Sequence, residues 1–193
     1  AAFVKSDEED GIVSVVEEVL GTPRSFAEVD ELLPNHPLRT VEGASAYVKI
    51  SEGCDRFCTF CAIPYIRGRY KSRVAAEILE EVRALVAGGV REIVLIGQDT
   101  GIWGHDLPGK PTLASLMRQV AHELREVHGW VRVLYLQPEG MTDELIATIR
   151  DTPEILPYID IPIQHCSPSV LKRMGRKGSS EEYAALFARL RSE

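Results

Sequence analysis

AYVKISEGCDRFCTFCAIP, residues 46–64, decides how the rest of the chain is read. Its first five residues alternate and favour the extended state, so they predict a strand. The strand runs straight into a polar loop holding three of the chain's four cysteines, spaced Cys54-x3-Cys58-x2-Cys61. Gly53 stands before the first of them, where a tight backbone turn beside a bulky group would need it.

Working outward, three more short β-rich runs follow: EIVLI at 92–96, RVLYL at 132–136 and YIDIPI at 158–163. Helical periodicities separate them. Ile78, Val82, Leu85 and Val86 share one face and stop at Gly88-Gly89, and Leu113, Leu116, Met117, Val120, Leu124 and Val127 share another and stop at Gly129. Thr142 is an N-cap followed by two acids, and Ser179 with Glu182 forms a capping box. Strand and helix alternate about four times, which argues for parallel β/α units with right-handed crossovers. Periodicity alone leaves a barrel and a doubly wound sheet both open. Each predicted strand ends in a polar or Gly-bearing segment (SEGC, GQDT, QPEG, QHCSP), and in α/β folds sites are built at that edge.

Residues 1–43 read differently. An acidic run at 7–10, an apolar stretch GIVSVVEEVLG and prolines at 34 and 37 predict a helix or two and a linker, leaving 44–193 as the main domain. The chain opens without Met and closes inside the helical pattern LFARLRSE, so it reads as a truncated piece of a longer protein. Its 22 Lys and Arg against 29 Asp and Glu give a net charge of −7. That balance opposes broad adsorption to nucleic acid or anionic membrane, and direct nucleic-acid binding is not expected. No apolar run approaches the roughly 20 residues of a membrane span. With no secretory signal at the start, the reading is cytoplasmic.

Three thiols in a reducing compartment make a poor disulfide framework. Structural zinc wants four closed ligands, and His165 or Cys166 would have to supply the fourth through the fold. An iron–sulfur cubane normally takes four thiolates, so a site offering three leaves one iron open to a small molecule. A ferredoxin would carry four local cysteines.

The spacing CxxxCxxC, with aromatic Phe60 before the last cysteine at the end of the first strand, resembles the radical S-adenosylmethionine superfamily. That resemblance implies a partial, open TIM-like β/α barrel. It also implies Cys54, Cys58 and Cys61 as ligands of a 4Fe-4S cluster, whose open iron chelates S-adenosylmethionine, and Phe60 approaching the adenine with its backbone. One electron through the cluster then releases an adenosyl radical that abstracts hydrogen from an unreactive carbon. ISEGCDRFCTFCAIPYIRGRYKSR (50–73), VLIGQDTGIWG (94–104) and YIDIPIQHCSPSVLKRMGRKGS (158–179) are, more narrowly, similar to the methylthiotransferases, over about residue 44 to the end. GQDT and PIQHCSP resemble the branch that modifies the β-carbon of an aspartate in small-subunit ribosomal protein S twelve. The alternatives are the branch acting on transfer-RNA adenosine and a zinc-stapled module without catalysis. The family also implies a second cluster on a domain outside this chain, and an electron donor that the sequence does not identify.

The resemblance tips Gln98 toward the cofactor's methionine amine or ribose. Gln137 and Glu139 of QPEG, and Gln164 of QHCSP, are further cofactor candidates, with ordinary turn roles as the alternative. Arg67 and Arg73 match the family's RGxxxSR pattern and are candidates for holding an acidic substrate, ahead of Arg69 and Lys71. Lys172, Arg173, Arg176 and Lys177 read as a helix C-terminus complementing its dipole. Cys166 reads as a small buried hydrophobe, His165 as structural, and Trp103 as either a shield for the site or a packed loop aromatic.

Overall fold

The computed structural model describes residues 12–21 and 43–193. The chain divides into two compact units, Ala1–Thr40 and Val41–Glu193. The first contains helix α1 (Ile12–Leu20); the rest of the expected N-terminal helix and linker lies outside the described residues. Among the described residues no helix is long and apolar enough to cross a membrane.

The second unit is built on a parallel sheet in which β1 (Ser45–Lys49) and β5 (Trp130–Val133) flank a central β4 (Glu92–Ile96). Tyr47, Val94 and Arg132 stand in one row across it, and Val48, Leu95 and Val133 in the next. Both flanking strands pair parallel with β4, so each step from strand to strand is a crossover, the first of them carrying the cysteine loop. Helix α3 (Ala75–Ala87) lies in the first and α4 (Leu113–Leu124) in the second, and α5 (Asp143–Asp151) follows β5. Ile78 and Val82 of α3, Leu116 and Val120 of α4, and Leu145 of α5 bury against Val48, Ile93 and Leu95 in one core. Each such aliphatic side chain contributes roughly 1.5–3 kcal/mol when taken fully out of water. Thr112 and Thr142 cap α4 and α5 by accepting from Ser115 N and Leu145 N.

Among the described residues of this unit, α3, α4 and α5 pack on the face that carries Val48, Ile93 and Leu95. On the other, Tyr47 stays exposed and Arg132 lies 4.5 Å over the Tyr158 ring. The sheet is therefore open, with a helix-covered side and a side facing the loops, in keeping with the partial barrel that the resemblance implies.

Three sequence expectations shift. Strand β5 starts two residues before the predicted RVLYL run and ends at Val133, because Tyr135 turns to a positive φ of 62° and takes the backbone out of the ladder. The segment at 158–163 is not a strand. It runs beside β5 through the bond Leu136 N to Asp160 O, 3.0 Å, but Pro157 and Pro162 carry no N–H to extend a ladder. After α4, a 3-10 turn at Arg125–Val127 carries the chain on, and His128, not Gly129, takes the left-handed position at φ 51°.

A two-stranded antiparallel pair, β2 (Ser51–Glu52) and β3 (Lys71–Ser72), closes the base of the cysteine loop. A single turn, α2 (Ile63–Ile66), lies between them. Beyond 163 come α6 (Pro168–Arg173) and α7 (Ser180–Ser192), the latter capped by Ser179 accepting from Glu182 N at 3.1 Å.

Candidate active site

The cysteine loop is held at its root by backbone. Gly53 adopts φ 71°, and a Cβ on it would stand 2.2 Å from Arg69 O and 2.6 Å from Gly68 O. Only glycine fits there. The sequence expectation of a tight turn holds, but the close neighbour is the returning chain at 68–69. Cys54 N donates to Gly68 O at 3.3 Å, and Asp55 Oδ1 takes both Tyr70 N, 3.1 Å, and Arg69 Nε, 2.9 Å. The loop's far side is tied to the end of α6: Thr59 N donates to Met174 O at 3.1 Å and Thr59 Oγ1 to Arg173 O at 3.0 Å.

The polar segments after β4 and β5 meet in the same way. Gly101 and Gly140 approach back to back, each leaving only 3.0 Å between a built Cβ and the other's Cα. Thr100 Oγ1 donates to Leu134 O at 2.7 Å. These contacts gather the strand ends around one cavity of about 490 Å3, lined by Cys54, Cys58 and Cys61 together with Phe60, Gln98, Gln137 and Gln164. That volume falls in the range of about 300–1,000 Å3 typical of small-molecule sites.

All three cysteines and four of the five residues marked as cofactor candidates thus share one cavity, at the C-terminal edge of the parallel sheet. Glu139, the fifth, is not among the lining residues; it sits outside, paired with Arg56. Neither arginine of the RGxxxSR pattern lines the cavity. Arg67 lies 3.6 Å from Glu52, half exposed. Arg73 donates to Lys49 O at 2.6 Å and to Glu81 Oε2 at 2.7 Å, fastening the end of β1 to α3, while its own carbonyl accepts Trp103 Nε1 at 3.0 Å. Trp103, 2% exposed, is a core side chain. Cys166 is exposed, against the buried role read from the sequence, and His165 Nδ1 accepts from Ser167 N at 2.9 Å.

Two arginines that the sequence reading passed over or explained differently complete the site. Arg56, between the first two cysteines, donates from Nε to Asp99 Oδ2 at 2.5 Å and from Nη1 to Glu139 Oε2 at 3.2 Å. It thereby pins the cysteine loop to the segments after β4 and β5. Burial pushes the Asp99 carboxyl above its ordinary value against the pull of Arg56, whereas Asp99 and Glu139 hold Arg56 above its own against the cost of burial. A guanidinium that does not deprotonate, 2.5 Å away, keeps the pair ionised at neutral pH. Arg176, read from the sequence as complementing a helix dipole, is instead buried, with 8% of its surface exposed. It reaches Gln137 Oε1, Pro162 O at 3.4 Å and Cys58 Sγ at 3.9 Å. A cation two or more residues past a helix end gives no local sign of such a partner.

Backbone and side-chain atoms around the cavity carry further marks of a binding site. Tyr135 and Gln164 both line it with left-handed φ values of 62° and 65°, a conformation costing non-glycine residues about 1–2 kcal/mol. Gln98 Oε1 is buried there without a hydrogen-bond partner. Burial also raises the Cys54 thiol above its ordinary value, partly offset by a hydrogen bond at the Arg56 backbone.

A β/α sheet ending in a three-cysteine loop over such a cavity is the architecture of one protein class, and sequence comparison agrees: the chain belongs to the radical SAM superfamily, whose family model matches residues 48–193. Among curated proteins, the ribosomal protein uS12 methylthiotransferase RimO of Geobacter sulfurreducens is 42% identical, over 99% of this chain and 43% of that protein. Its namesake in Clostridium tetani is 49% identical over 74% of this chain and 32% of that one. The chain thus spans less than half the length of these relatives. Among solved structures, the radical S-adenosylmethionine methyltransferase TsrM from Kitasatospora setae, with tryptophan substrate and a SAM analogue bound, gives a TM-score of 0.58 at 16% identity. It covers 78% of this chain and 28% of TsrM, a likeness of fold.

Membership brings a 4Fe-4S cluster and S-adenosylmethionine as the superfamily's cofactors, and another TsrM structure holds such a cluster. The residues present fit the group by donor chemistry: three unpaired, soft thiols on one loop, opening on a shared cavity, with no disulfide among them. Among the described residues no three His, Cys, Asp or Glu side chains are drawn together tightly enough to grip a metal ion as they stand. The three thiols do line one cavity.

Proposed function

We propose that this chain is the radical-chemistry domain of a methylthiotransferase acting on the β-carbon of an aspartate in the small-subunit ribosomal protein uS12. The observation that carries the reading is the convergence of Cys54, Cys58 and Cys61 with Gln98 and Gln137 on one cavity at the sheet's C-terminal edge. Its support for this branch of the superfamily is the 42% identity to a RimO across 99% of the chain.

In this reading Cys54, Cys58 and Cys61 hold the cluster, three ligands leaving one iron open. When bound, the cluster and S-adenosylmethionine supply the electron and the adenosyl group for hydrogen abstraction from an unactivated carbon. The chain's own residues do the rest. Phe60 would offer its backbone to the adenine; Gln98, with a buried oxygen lacking a partner, would accept from the methionine ammonium; and Gln137, held by Arg176, and Gln164 would complete the lining around the cofactor. Glu139 acts through Arg56, and Arg67 is the cation left half exposed for an acidic substrate segment. Arg73 serves the scaffold. A second cluster held outside residues 1–193, an electron donor and a cytoplasmic setting belong to the same reading.

Anaerobic reconstitution tests it. Four irons per chain, with the absorption and electron paramagnetic resonance of a cubane that changes when S-adenosylmethionine is added, is the expected result, and Cys58→Ala should abolish it. A colourless zinc protein would refute the iron chemistry. Presenting the full-length enzyme with uS12 and with transfer RNA separates the two branches, and modification of RNA alone would overturn the uS12 assignment.

A further inference from the structure

The three cysteines are not equivalent. Cys58 and its neighbour Thr59 are gripped by a stretch more than a hundred positions away: Thr59 by the carbonyls of Arg173 and Met174, and Cys58 Sγ by Arg176 Nη1 at 3.9 Å, the outer end of N–H···S contact. Arg176 is led back to the loop by its own backbone, since Arg176 N donates to Leu171 O at 2.8 Å. Its guanidinium is buried, and the neutral oxygens of Gln137 and Pro162 do not cancel its charge. Its Nε is buried without a partner. The other arginine near the loop, Arg56, is neutralised by Asp99 and Glu139. Asp99 feels the charge of Arg176, but among the described contacts no carboxylate hydrogen-bonds to Arg176; a buried cation so placed is costly unless further negative charge arrives, and Cys58 is the thiol it faces.

We propose that Arg176 is a positioning residue for the cluster, donating to the Cys58 sulfur and holding the cluster's reduction potential up. The inference rests on the reading that Cys54, Cys58 and Cys61 carry that cluster. Hydrogen bonds and positive charge at ligand sulfurs stabilise the more negative, reduced state, so they raise the potential; removing them lowers it. Gln137 Oε1 accepts from Nη2 of the same guanidinium whose Nη1 faces Cys58, so it helps fix the orientation of that group.

The test is a redox titration, followed by electron paramagnetic resonance, of reconstituted wild type, R176K, R176Q and T59V, with iron counted in each. The midpoint should fall in R176Q, fall less in R176K, which keeps the charge, and stay at the wild-type value in T59V, which loosens the loop's tie without touching the guanidinium. A purely structural role for Arg176 would change melting temperature and iron content but not the midpoint. A second measurement needs no variant to fold: in wild-type protein labelled with guanidino-15N arginine, pulsed resonance of the reduced cluster should show a nitrogen coupling, and R176K should lack it. R176Q with full iron and the wild-type midpoint, or a reduced wild-type cluster with no nitrogen coupling, overturns the proposal. Wild type that takes up no iron defeats the cluster reading itself. Wild type that takes up iron but whose midpoint ignores residue 176 defeats only this inference.

Discussion

Arg56→Met strands a carboxylate. Asp99 has 1% of its side chain exposed, its Oδ2 depends on Arg56 at 2.5 Å, and its Oδ1 is buried with no partner at all. Removing one member of a buried ion pair typically costs about 3–5 kcal/mol. Arg56 itself is 22% exposed, so water enters once the guanidinium goes, and the expected loss sits near the lower end, about 3 kcal/mol. In a chain of this length each kcal/mol moves the melting temperature by roughly 2–4 °C, giving a fall of about 6–12 °C. The sign of the pH dependence follows from burial. Without Arg56 the folded-state pKa of Asp99 rises further, while in the unfolded chain it stays near 3.9. Below that value the acid is neutral in both states and the penalty is absent. It grows as pH climbs through the raised folded value and then levels off. The double variant R56M/D99L, which buries no charge, should recover to within about 1 kcal/mol of wild type. Urea unfolding of metal-free protein from pH 8 down to about 3.5, below the ordinary aspartate value, followed by circular dichroism, measures all of this. An R56M protein within 0.5 kcal/mol, roughly the noise of a surface substitution, would refute the argument that this pair pins the loop, as would a penalty that does not shrink in acid.

Gly53→Ala should unfold the base of the same loop. The added Cβ meets Arg69 O at 2.2 Å, the left-handed φ costs about 1–2 kcal/mol, and the bond from Cys54 N to Gly68 O, worth about 1 kcal/mol, breaks. Reconstituted G53A should lose most of its iron, and full iron content with wild-type melting would contradict this. Glu92 gives the scaffold a pH signature of the opposite sign to that of stranded Asp99. Burial raises its pKa, but hydrogen bonds led by Arg132, 2.9 and 3.0 Å away, more than reverse this and hold it low. Its contribution is therefore present above the ordinary glutamate value of about 4.3 and is lost as pH falls through the lowered one. E92Q should be about 1 kcal/mol less stable than wild type at pH 7, with the gap closing below that ordinary value; a gap that persists in acid would show that the pair does not act through charge.

What the sequence discloses about this molecule follows a physical boundary between local and long-range terms. EIVLI is read to the residue because a central parallel strand is buried on both faces, and a short β-branched run bounded by turn residues has few other solutions. Thr142 and Ser179 are equally plain, since a cap bonds within its own first turn. The segment at 158–163 has the same composition as a strand and is not one; Pro157 before it and Pro162 within it deny the donors that pairing with a neighbour requires, a condition set by the ladder and not by the run itself. The site divides along the same line. Cysteine spacing exposes the three thiols, but Arg56 meets Asp99 across 43 positions and Arg176 meets Cys58 across 118, and no periodicity encodes either. The Arg176 error is instructive because the local rule was sound: cations after a helix do complement its dipole, and Lys172 and Arg173 occupy the last turn of α6 as that rule expects. Arg176 escapes it because the chain turns at Gly175, with φ 71°, and heads back into the cavity.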